Sequence, residues 1–286
     1  MIVWVDVILS FLNTDARNDR IKADLKSKFE VNMIRNPSMI LGIKLLQKLN
    51  LITLSQTHFI DSLLKKFGLE DANPVTTPLD QNINLDDNET EDESNNQSEE
   101  ASHGYATLIG SLMYLALRTC PDIAYAVKKL AQFTQLPKLK HWTTMKQIFH
   151  YLKGTQKFSL TYGRSEDLLN QEMNVFCDAN WAGGADRYTS GYIITITGEA
   201  IAWSSKKQNS IALSTAEAEY IAATHTAKQI LWQCSLFQEL KIDLTTTSTI
   251  FSDNQAAIVI AHHPEFHART KHIDIAYHFL RDLVKL

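Results

Sequence analysis

The sequence predicts an α/β protein whose second half is a mixed sheet with flanking helices. In residues 173–286, short apolar runs alternate with longer amphipathic segments in the order β-β-β-α-β-α-α. Residues 1–79 mix strand and helix patterns, whereas residues 103–165 are mainly helical. An acidic tract, residues 80–102, separates these two parts. We therefore expect four consecutive parts in the chain.

In the first part, Met1–Leu12 is apolar except for Asp6 and is predicted to be a strand. Ala16–Phe29 and Thr57–Phe67 carry apolar residues at helical spacing, and Gly68 ends the second helix. The two remaining segments of this part are predicted to be short strands, Met39–Ile43 and Leu51–Leu54.

Charge is distributed unevenly along the chain. Residues 80–100 contain nine acidic and no basic residues, so this tract buries no core and is predicted to be a disordered linker. Residues 101–170 contain nine basic and three acidic residues. Lysines with interleaved aromatic residues suit a nucleic-acid backbone, although a solvated helix face explains them equally well. The lysines that we select as nucleic-acid ligands here are Lys138, Lys140 and Lys146.

The second half repeats strand and helix signals with clear boundaries. A hairpin is expected around Gly198-Glu199, because two strand-like runs flank that pair. The predicted strands are Met173–Cys177, Tyr192–Thr197, Ala200–Ser204 and Thr249–Ser252. The predicted helices are Thr215–Leu240, Gln255–His262 and Ile273–Val284.

Three acidic residues lie at the ends of these predicted elements. Asp178 follows the first strand of this half, Asp253 follows the fourth, and Glu219 lies on the long helix between them. If those two strands are neighbours, all three carboxylates meet at one end of the sheet. Clustered carboxylates repel each other unless cations neutralise them, and Mg²⁺ is the hard ion that binds both carboxylates and phosphates. Two such ions clamp the attacking and leaving oxygens of a phosphodiester.

Other polar residues have more ordinary interpretations. Ser214 and Glu217 fit a capping box at the start of the long helix, which gives Glu217 a structural role. Asp274 lies early in a predicted helix, where its negative charge is expected to stabilise the helix through the helix dipole. A zinc site is the less favoured explanation of the late histidines, because their spacing matches no common pattern. These histidines are His262, His263, His267, His272 and His278.

Composition excludes several classes of protein. The chain has 286 residues, 44% of them hydrophobic and 21% charged, which argues against collagen-like, wholly disordered and disulfide-scaffold proteins. Its three cysteines form no C-x-x-C pair, so we expect a reducing, intracellular location. No apolar run is long enough to span a bilayer, and the N-terminus lacks the basic segment of a signal peptide.

Several stretches of the second half resemble the ribonuclease H domain of copia-type retrotransposon polyproteins. They are CDANWAGGADRYTSGY, IAWSSKKQNSIALSTAEAEYIAA, FSDNQAAI and FHARTKHIDIAYHFLRDLV. The first half resembles the C-terminal part of the reverse transcriptase of the same polyproteins. The corresponding stretches are MILGIKL, LITLSQTHFIDSLLKKFGL, TTPL, LIGSLMYLALRTCPDIAYAV and HWTTMKQIFHYLKGT.

The resemblance implies a ribonuclease H-like mixed sheet after a reverse-transcriptase remnant. It implies an Mg²⁺-dependent (or Mn²⁺-dependent) endonuclease that cuts the RNA strand of RNA–DNA hybrids. By motif, the metal-binding and catalytic acids fall on Asp178, Glu219 and Asp253. The Lys206-Lys207-Gln208 stretch is expected near the nucleic acid. No membrane partner is expected, and the oligomeric state is left open.

The chain departs from the family pattern at both ends. The family has two adjacent aspartates in its polymerase motif, whereas this chain has Asp6 and Val7, and the fingers and most of the palm are absent. We therefore expect no polymerase activity. The family's last strand and its helix with a fourth acidic residue also have no counterpart before Leu286, which we expect to weaken the second metal site. Two other hypotheses remain open: a non-catalytic remnant that at most binds nucleic acid, and a fragment without selected function.

Overall fold

The computed structural model is a mixed α/β structure with two compact units, Met1–Ile40 and Leu41–Leu286. This confirms the predicted mixture of strands and helices. Among the helices that the structure describes, none has the length and apolar character needed to cross a bilayer. The described residues are 2–4, 7–10, 15–32, 34–80, 83–85, 99–163, 173–180, 187–242, 248–262 and 274–284.

The first unit begins with two short strands where the sequence predicts one. Strands β1 (Ile2–Trp4) and β2 (Val7–Leu9) pair antiparallel, with Trp4 opposite Val7, so the chain reverses within the apolar run. The prediction of a single strand was wrong because an apolar run carries no information about where it turns. Helix α1 (Asp15–Lys28) confirms the predicted helix. The last element of this unit is β3 (Met39–Ile40).

The second unit starts with a hairpin and a set of packed helices. Its first elements are β4 (Ile43–Lys48), β5 (Leu51–Ser55), α2 (Thr57–Lys66), α3 (Glu99–Arg118), a 3₁₀ turn (Pro121–Ile123), α4 (Ala124–Ala131), α5 (Leu139–Thr155) and β6 (Leu160–Gly163). The helices share one core, in which Leu112, Leu115 and Ile148 are fully buried. Strand β6, which the sequence analysis did not predict, pairs antiparallel with β5.

The acidic tract differs from its prediction at both ends. Helix α3 begins at Glu99, inside the predicted linker. Leu85 is 2% exposed, and its carbonyl oxygen lies 3.2 Å from His141 Nε2 of α5. The prediction was wrong at these positions because it rested on the many charged residues of the tract and overlooked the few apolar residues that pack on the helical core. Residues 86–98 lie outside the described part of the chain.

A second sheet carries the remaining elements of the unit. Its strand order is β10-β7-β8-β9, with β10 parallel to β7 and the other neighbours antiparallel. The elements are β7 (Met173–Asn180), β8 (Thr189–Ile196), β9 (Glu199–Lys207), α6 (Thr215–Glu239), β10 (Thr249–Phe251), α7 (Gln255–His262) and α8 (Asp274–Val284). The hairpin turn is Thr197-Gly198, one residue earlier than predicted, and both residues have positive φ.

Helices contact this sheet on one face and at one edge. Met173, Val175 and Cys177 alternate along β7 toward a buried face, on which Ile230 of α6 packs. At the edge of the sheet that β9 forms, helix α3 of the same unit contacts the strand. The indole N–H of Trp203 in β9 donates a 2.7 Å hydrogen bond to the Ala116 carbonyl of α3. The helices and the sheet are thus joined by direct contacts.

Candidate metal and nucleic-acid site

The parallel pairing of β7 and β10 brings two aspartates to one edge of the sheet. Phe176 lies opposite Phe251, and the two rings stack with their centroids 5.0 Å apart. Asp178 and Asp253 each lie two residues beyond this pair, at the carboxyl ends of neighbouring parallel strands. Equal offsets from a paired position carry both side chains to the same place. Strand pairing therefore determines that these two carboxylates meet.

Helix α6 supplies the third carboxylate from its first turns. The Ser214 side chain caps the helix by accepting a 3.2 Å hydrogen bond from the Glu217 amide. The Glu217 carboxylate reaches back, as the capping prediction requires, but it accepts from the amide of Leu213 at 2.8 Å, not from that of Ser214. Glu217 thus forms part of the N-terminal cap, whereas Glu219, two residues later, lies on a different face of the helix.

Asp178, Glu219 and Asp253 form a compact group, which we call the acidic cluster. One carboxylate oxygen of each lies within 4.8 Å of the others. Glu219 is only 5% exposed, whereas the two aspartates are exposed. The cluster therefore has a buried wall and an open side that faces solvent.

The environment of Glu219 makes its charge costly. Its Oε1 accepts a 3.0 Å hydrogen bond from the backbone amide of Ala179. Its Oε2 is buried and has no donor among the described residues. Burial, together with the nearby charges of Asp178 and Asp253, raises the pKa of Glu219 to about 7, although the Ala179 amide acts in the opposite direction. This environment therefore favours the binding of a proton or a cation at Glu219 near neutral pH.

This donor set fits a hard divalent cation. Three carboxylates supply oxygen ligands, and the unpartnered Oε2 of Glu219 provides a lone pair that nothing else in the described structure uses. Cys177 lies beside the cluster, but burial and the same carboxylates raise the pKa of its thiol to about 12. The thiol therefore stays protonated at neutral pH in the metal-free protein.

The predicted Lys206-Lys207-Gln208 stretch borders a cleft of about 190 Å³ between the end of β9 and α6. Gln208 is buried, and its amide nitrogen donates to Ser190 Oγ at 2.9 Å and to the Ala218 carbonyl at 2.8 Å. This glutamine thereby ties β8 to the turn of α6 that carries Glu219. Residues that were not predicted from the sequence also line the cleft, among them Ser190, His225 and Lys228.

The other predicted residues belong neither to the acidic cluster nor to the lining of the cleft. Lys138, Lys140 and Lys146 belong to α5 and its N-terminal boundary, and α5 packs on α2 and α4. Lys140 Nζ donates to the Asn84 carbonyl at 3.4 Å. Their role in nucleic-acid binding stays a prediction. Val7 is an exposed residue of β2.

Several predictions fall on residues that the structure does not describe. Asp6 and three of the five late histidines lie outside the described residues, and the side chains of Asp274 and His278 are not described. The polymerase motif, the dipole role of Asp274 and the zinc alternative therefore stay predictions.

Comparison with known sequences identifies proteins that are similar to this chain. The family described as reverse transcriptase (RNA-dependent DNA polymerase) matches residues 1–81. The chain is 35% identical over 288 residues to the retrovirus-related Pol polyprotein from transposon TNT 1-94 of Nicotiana tabacum, covering 99% of this chain and 21% of that protein. It is 36% identical over 287 residues to the corresponding polyprotein from transposon RE1 of Arabidopsis thaliana, covering 100% of this chain and 19% of that protein.

A shorter relative also matches: an uncharacterized mitochondrial protein of Arabidopsis thaliana is 30% identical over 234 residues, which is 93% of its length. No solved structure matches the chain significantly. The chain spans about a fifth of the length of the two polyproteins. Because the similarity to these polyproteins extends over almost all of its residues, the chain belongs to the family of retrovirus-related Pol polyproteins of copia-type transposons.

Proposed function

We propose that residues 173–286 form a ribonuclease H-type nuclease that cleaves the RNA strand of RNA–DNA hybrids with Mg²⁺ or Mn²⁺. The observation that carries the proposal is the convergence of Asp178, Glu219 and Asp253 within 4.8 Å at the carboxyl ends of β7 and β10. The sequence resemblance selects the same three residues. A mixed sheet with one parallel edge pair and a helix between the pairing strands supports the ribonuclease H-like fold.

The chain's own residues have distinct roles in this proposal. Asp178 and Asp253 offer exposed carboxylates from the sheet, and Glu219 offers a buried one from α6. The Ala179 amide holds one oxygen of Glu219, so the other faces its neighbours. Magnesium bound by these groups would supply a lower pKa for the attacking water and neutralise charge on the leaving 3′-oxygen. The protein's contribution is to hold the three acids in one place, where a bound cation would favour their ionised forms.

The proposal has a direct test. The purified chain is incubated with a labelled RNA–DNA hybrid in Mg²⁺ and in Mn²⁺, beside Asp178→Asn. We expect cleavage of the RNA strand by the parent chain, and a loss of at least a hundredfold in the variant. Glu217→Gln is the matched control, since it removes a carboxylate two residues from Glu219 that lies outside the acidic cluster.

Folding is checked on the same samples by circular dichroism and thermal melting. Cleavage that survives Asp178→Asn would point to a contaminating nuclease and contradict the proposal. A folded parent chain that cleaves in neither metal would overturn it and favour the non-catalytic alternative, in which the chain only binds nucleic acid.

A further inference from the structure

Gln208, the residue that follows β9, is buried against the helix that carries Glu219. Its exposed fraction is 5%, although glutamine side chains usually lie at the surface of a protein. The backbone amide of Gln208 donates a 2.8 Å hydrogen bond to the carbonyl of Tyr188, which precedes β8. The backbone of Gln208 is therefore fixed to the sheet, and its side chain extends from a rigid position.

The side-chain amide of Gln208 uses both of its N–H donors within the protein. Its Nε2 donates to Ser190 Oγ at 2.9 Å and to the Ala218 carbonyl at 2.8 Å. A carbonyl oxygen can only accept a hydrogen bond, so the amide nitrogen and not the amide oxygen must face Ala218. The side-chain oxygen of Gln208 is buried and has no hydrogen-bond partner among the described residues. The orientation of this amide is thus set by its two donated bonds.

The carbonyl that Gln208 contacts belongs to the peptide bond between Ala218 and Glu219. This peptide lies near the N-terminus of α6, and helix ends are the parts of a helix that open most readily. Gln208 therefore holds the backbone at Glu219 from the side of the sheet. The Ala179 amide holds the Glu219 carboxylate at 3.0 Å. Glu219 is thus restrained at its backbone and at its side chain by different residues.

The two restraints are joined through the sheet. Ser190, which accepts from Gln208, lies opposite Ala179 in the antiparallel pairing of β8 with β7. Ala179 donates to the carboxylate of Glu219, and the peptide bond before Glu219 accepts from Gln208. The contacts therefore form a closed circuit. Because each member has two attachments, a displacement of Glu219 must strain both the helix start and the sheet.

We propose that Gln208 is a positioning residue of the acidic cluster, which holds Glu219 in place through the Ala218 carbonyl. The effect on Glu219 itself rests only on these contacts, whereas the effect on metal binding also rests on the proposed function of the cluster. Residues that orient a metal ligand typically change metal affinity by about 10–100-fold when they are replaced. Gln208 has this role without being a ligand.

The first test measures the Ala179 amide in the metal-free chain. Gln208→Met keeps the length of the side chain and removes both N–H donors. Hydrogen exchange is followed by NMR in EDTA, with the amide of the buried Val175 in the middle of β7 as the internal reference. We expect the Ala179 amide to exchange about tenfold faster in the variant, because Glu219 no longer stays within hydrogen-bond distance, and Val175 to change little.

The matched control is Gln56→Met, the same substitution at another buried glutamine. Gln56 lies in the helical part of the unit, and its side-chain oxygen accepts a 2.8 Å hydrogen bond from Thr119. We expect this variant to destabilise the fold without changing the ratio of the exchange rates of Ala179 and Val175. The control separates positioning of Glu219 from a general loss of stability.

The second test measures the affinity of the full chain for Mn²⁺ alone, from the electron paramagnetic resonance signal of the free ion. We expect Gln208→Met to weaken Mn²⁺ binding by about tenfold and Gln56→Met to leave it unchanged. In a Glu219→Gln background, Gln208→Met should have a much smaller effect, because Gln208 acts through Glu219.

The outcomes separate this proposal from the proposed nuclease. Equal Ala179 exchange in the parent chain and in folded Gln208→Met would overturn the positioning role. A tenfold loss of Mn²⁺ affinity that persists in the Glu219→Gln background would also overturn it, since Gln208 would then act by another route. Faster exchange at Ala179 with unchanged Mn²⁺ affinity would support the positioning of Glu219 and count against the acidic cluster as the metal site.

Discussion

Glu219 accepts a 3.0 Å hydrogen bond from the backbone amide of Ala179, the residue that follows Asp178. This contact ties the first turns of α6 to the end of β7. It fixes one oxygen of the buried carboxylate and leaves the other without a donor among the described residues. The ionised form of Glu219 is therefore unfavourable in the acidic cluster, and the first two predictions follow from this cost.

The stability of the metal-free protein should depend on pH through Glu219. Its pKa is raised to about 7 from an ordinary value of 4.5, so between these values the folded state holds more protons than the unfolded state. Stability from this group is therefore greatest in acid and falls as pH rises from about 4.5 through 7. We expect Glu219→Gln to flatten that part of the profile and to stabilise the protein above pH 7. Melting temperatures of both proteins in EDTA, from pH 5 to 8, provide the comparison, and parallel profiles would contradict it.

Divalent cations should stabilise the folded chain without any substrate. Mg²⁺ or Mn²⁺ at a hundred times its dissociation constant adds about 2.7 kcal/mol to the free energy of unfolding when it binds only the folded state. We expect the melting temperature of the parent chain to rise with added metal, and that of Asp253→Asn to rise much less. Glu217→Gln should respond like the parent chain. An equal response in all three proteins would mean that the metal binds elsewhere.

The contact between Trp203 and Ala116 should contribute to the stability of the second unit. Ala116 lies in the last turn of α3, where carbonyl groups lack partners within the helix, and the Trp203 indole N–H supplies one at 2.7 Å. We expect Trp203→Phe to lower the free energy of unfolding by about 1–2 kcal/mol, since it leaves this carbonyl without its donor. Urea denaturation measures the change. Trp232→Phe, at a 55% exposed position on α6, is the control and should have little effect.

A substitution of Thr197, in the turn between β8 and β9, should stabilise the folded protein. Both turn residues have positive φ, 52° at Thr197 and 85° at Gly198, and a β-branched residue is strained there. Asparagine adopts this conformation at lower cost and precedes glycine in the favoured two-residue hairpin turns. We expect Thr197→Asn to raise the free energy of unfolding by about 0.5–1 kcal/mol and Gly198→Ala to lower it by a similar amount. Denaturation midpoints that move in the reverse directions would disprove this account of the turn.

Local sequence patterns predicted most helices and strands of the second unit. Helix α6 and strand β10 follow from apolar spacing, because backbone geometry imposes a period on any segment that buries one face. The local sequence pattern also assigned Glu217 to the helix cap, so Glu219 was the acidic residue of this helix that we assigned to the site. Strand β6 and the hairpin of β1 and β2 were missed, since short strands depend on partners that a single segment does not reveal.

By itself, the sequence determined which acids are candidates: Asp178, Glu219 and Asp253 lie at the ends of their elements, and their motifs match one family. Only the tertiary structure decided that they meet within 4.8 Å, that Glu219 is buried, and that the Ala179 amide holds it. It alone also joined Lys206 to Lys228 in one cleft. The physical reason is range: periodicity acts within a segment, whereas pairing and packing bring together residues that are distant in sequence, and their burial then changes their charge.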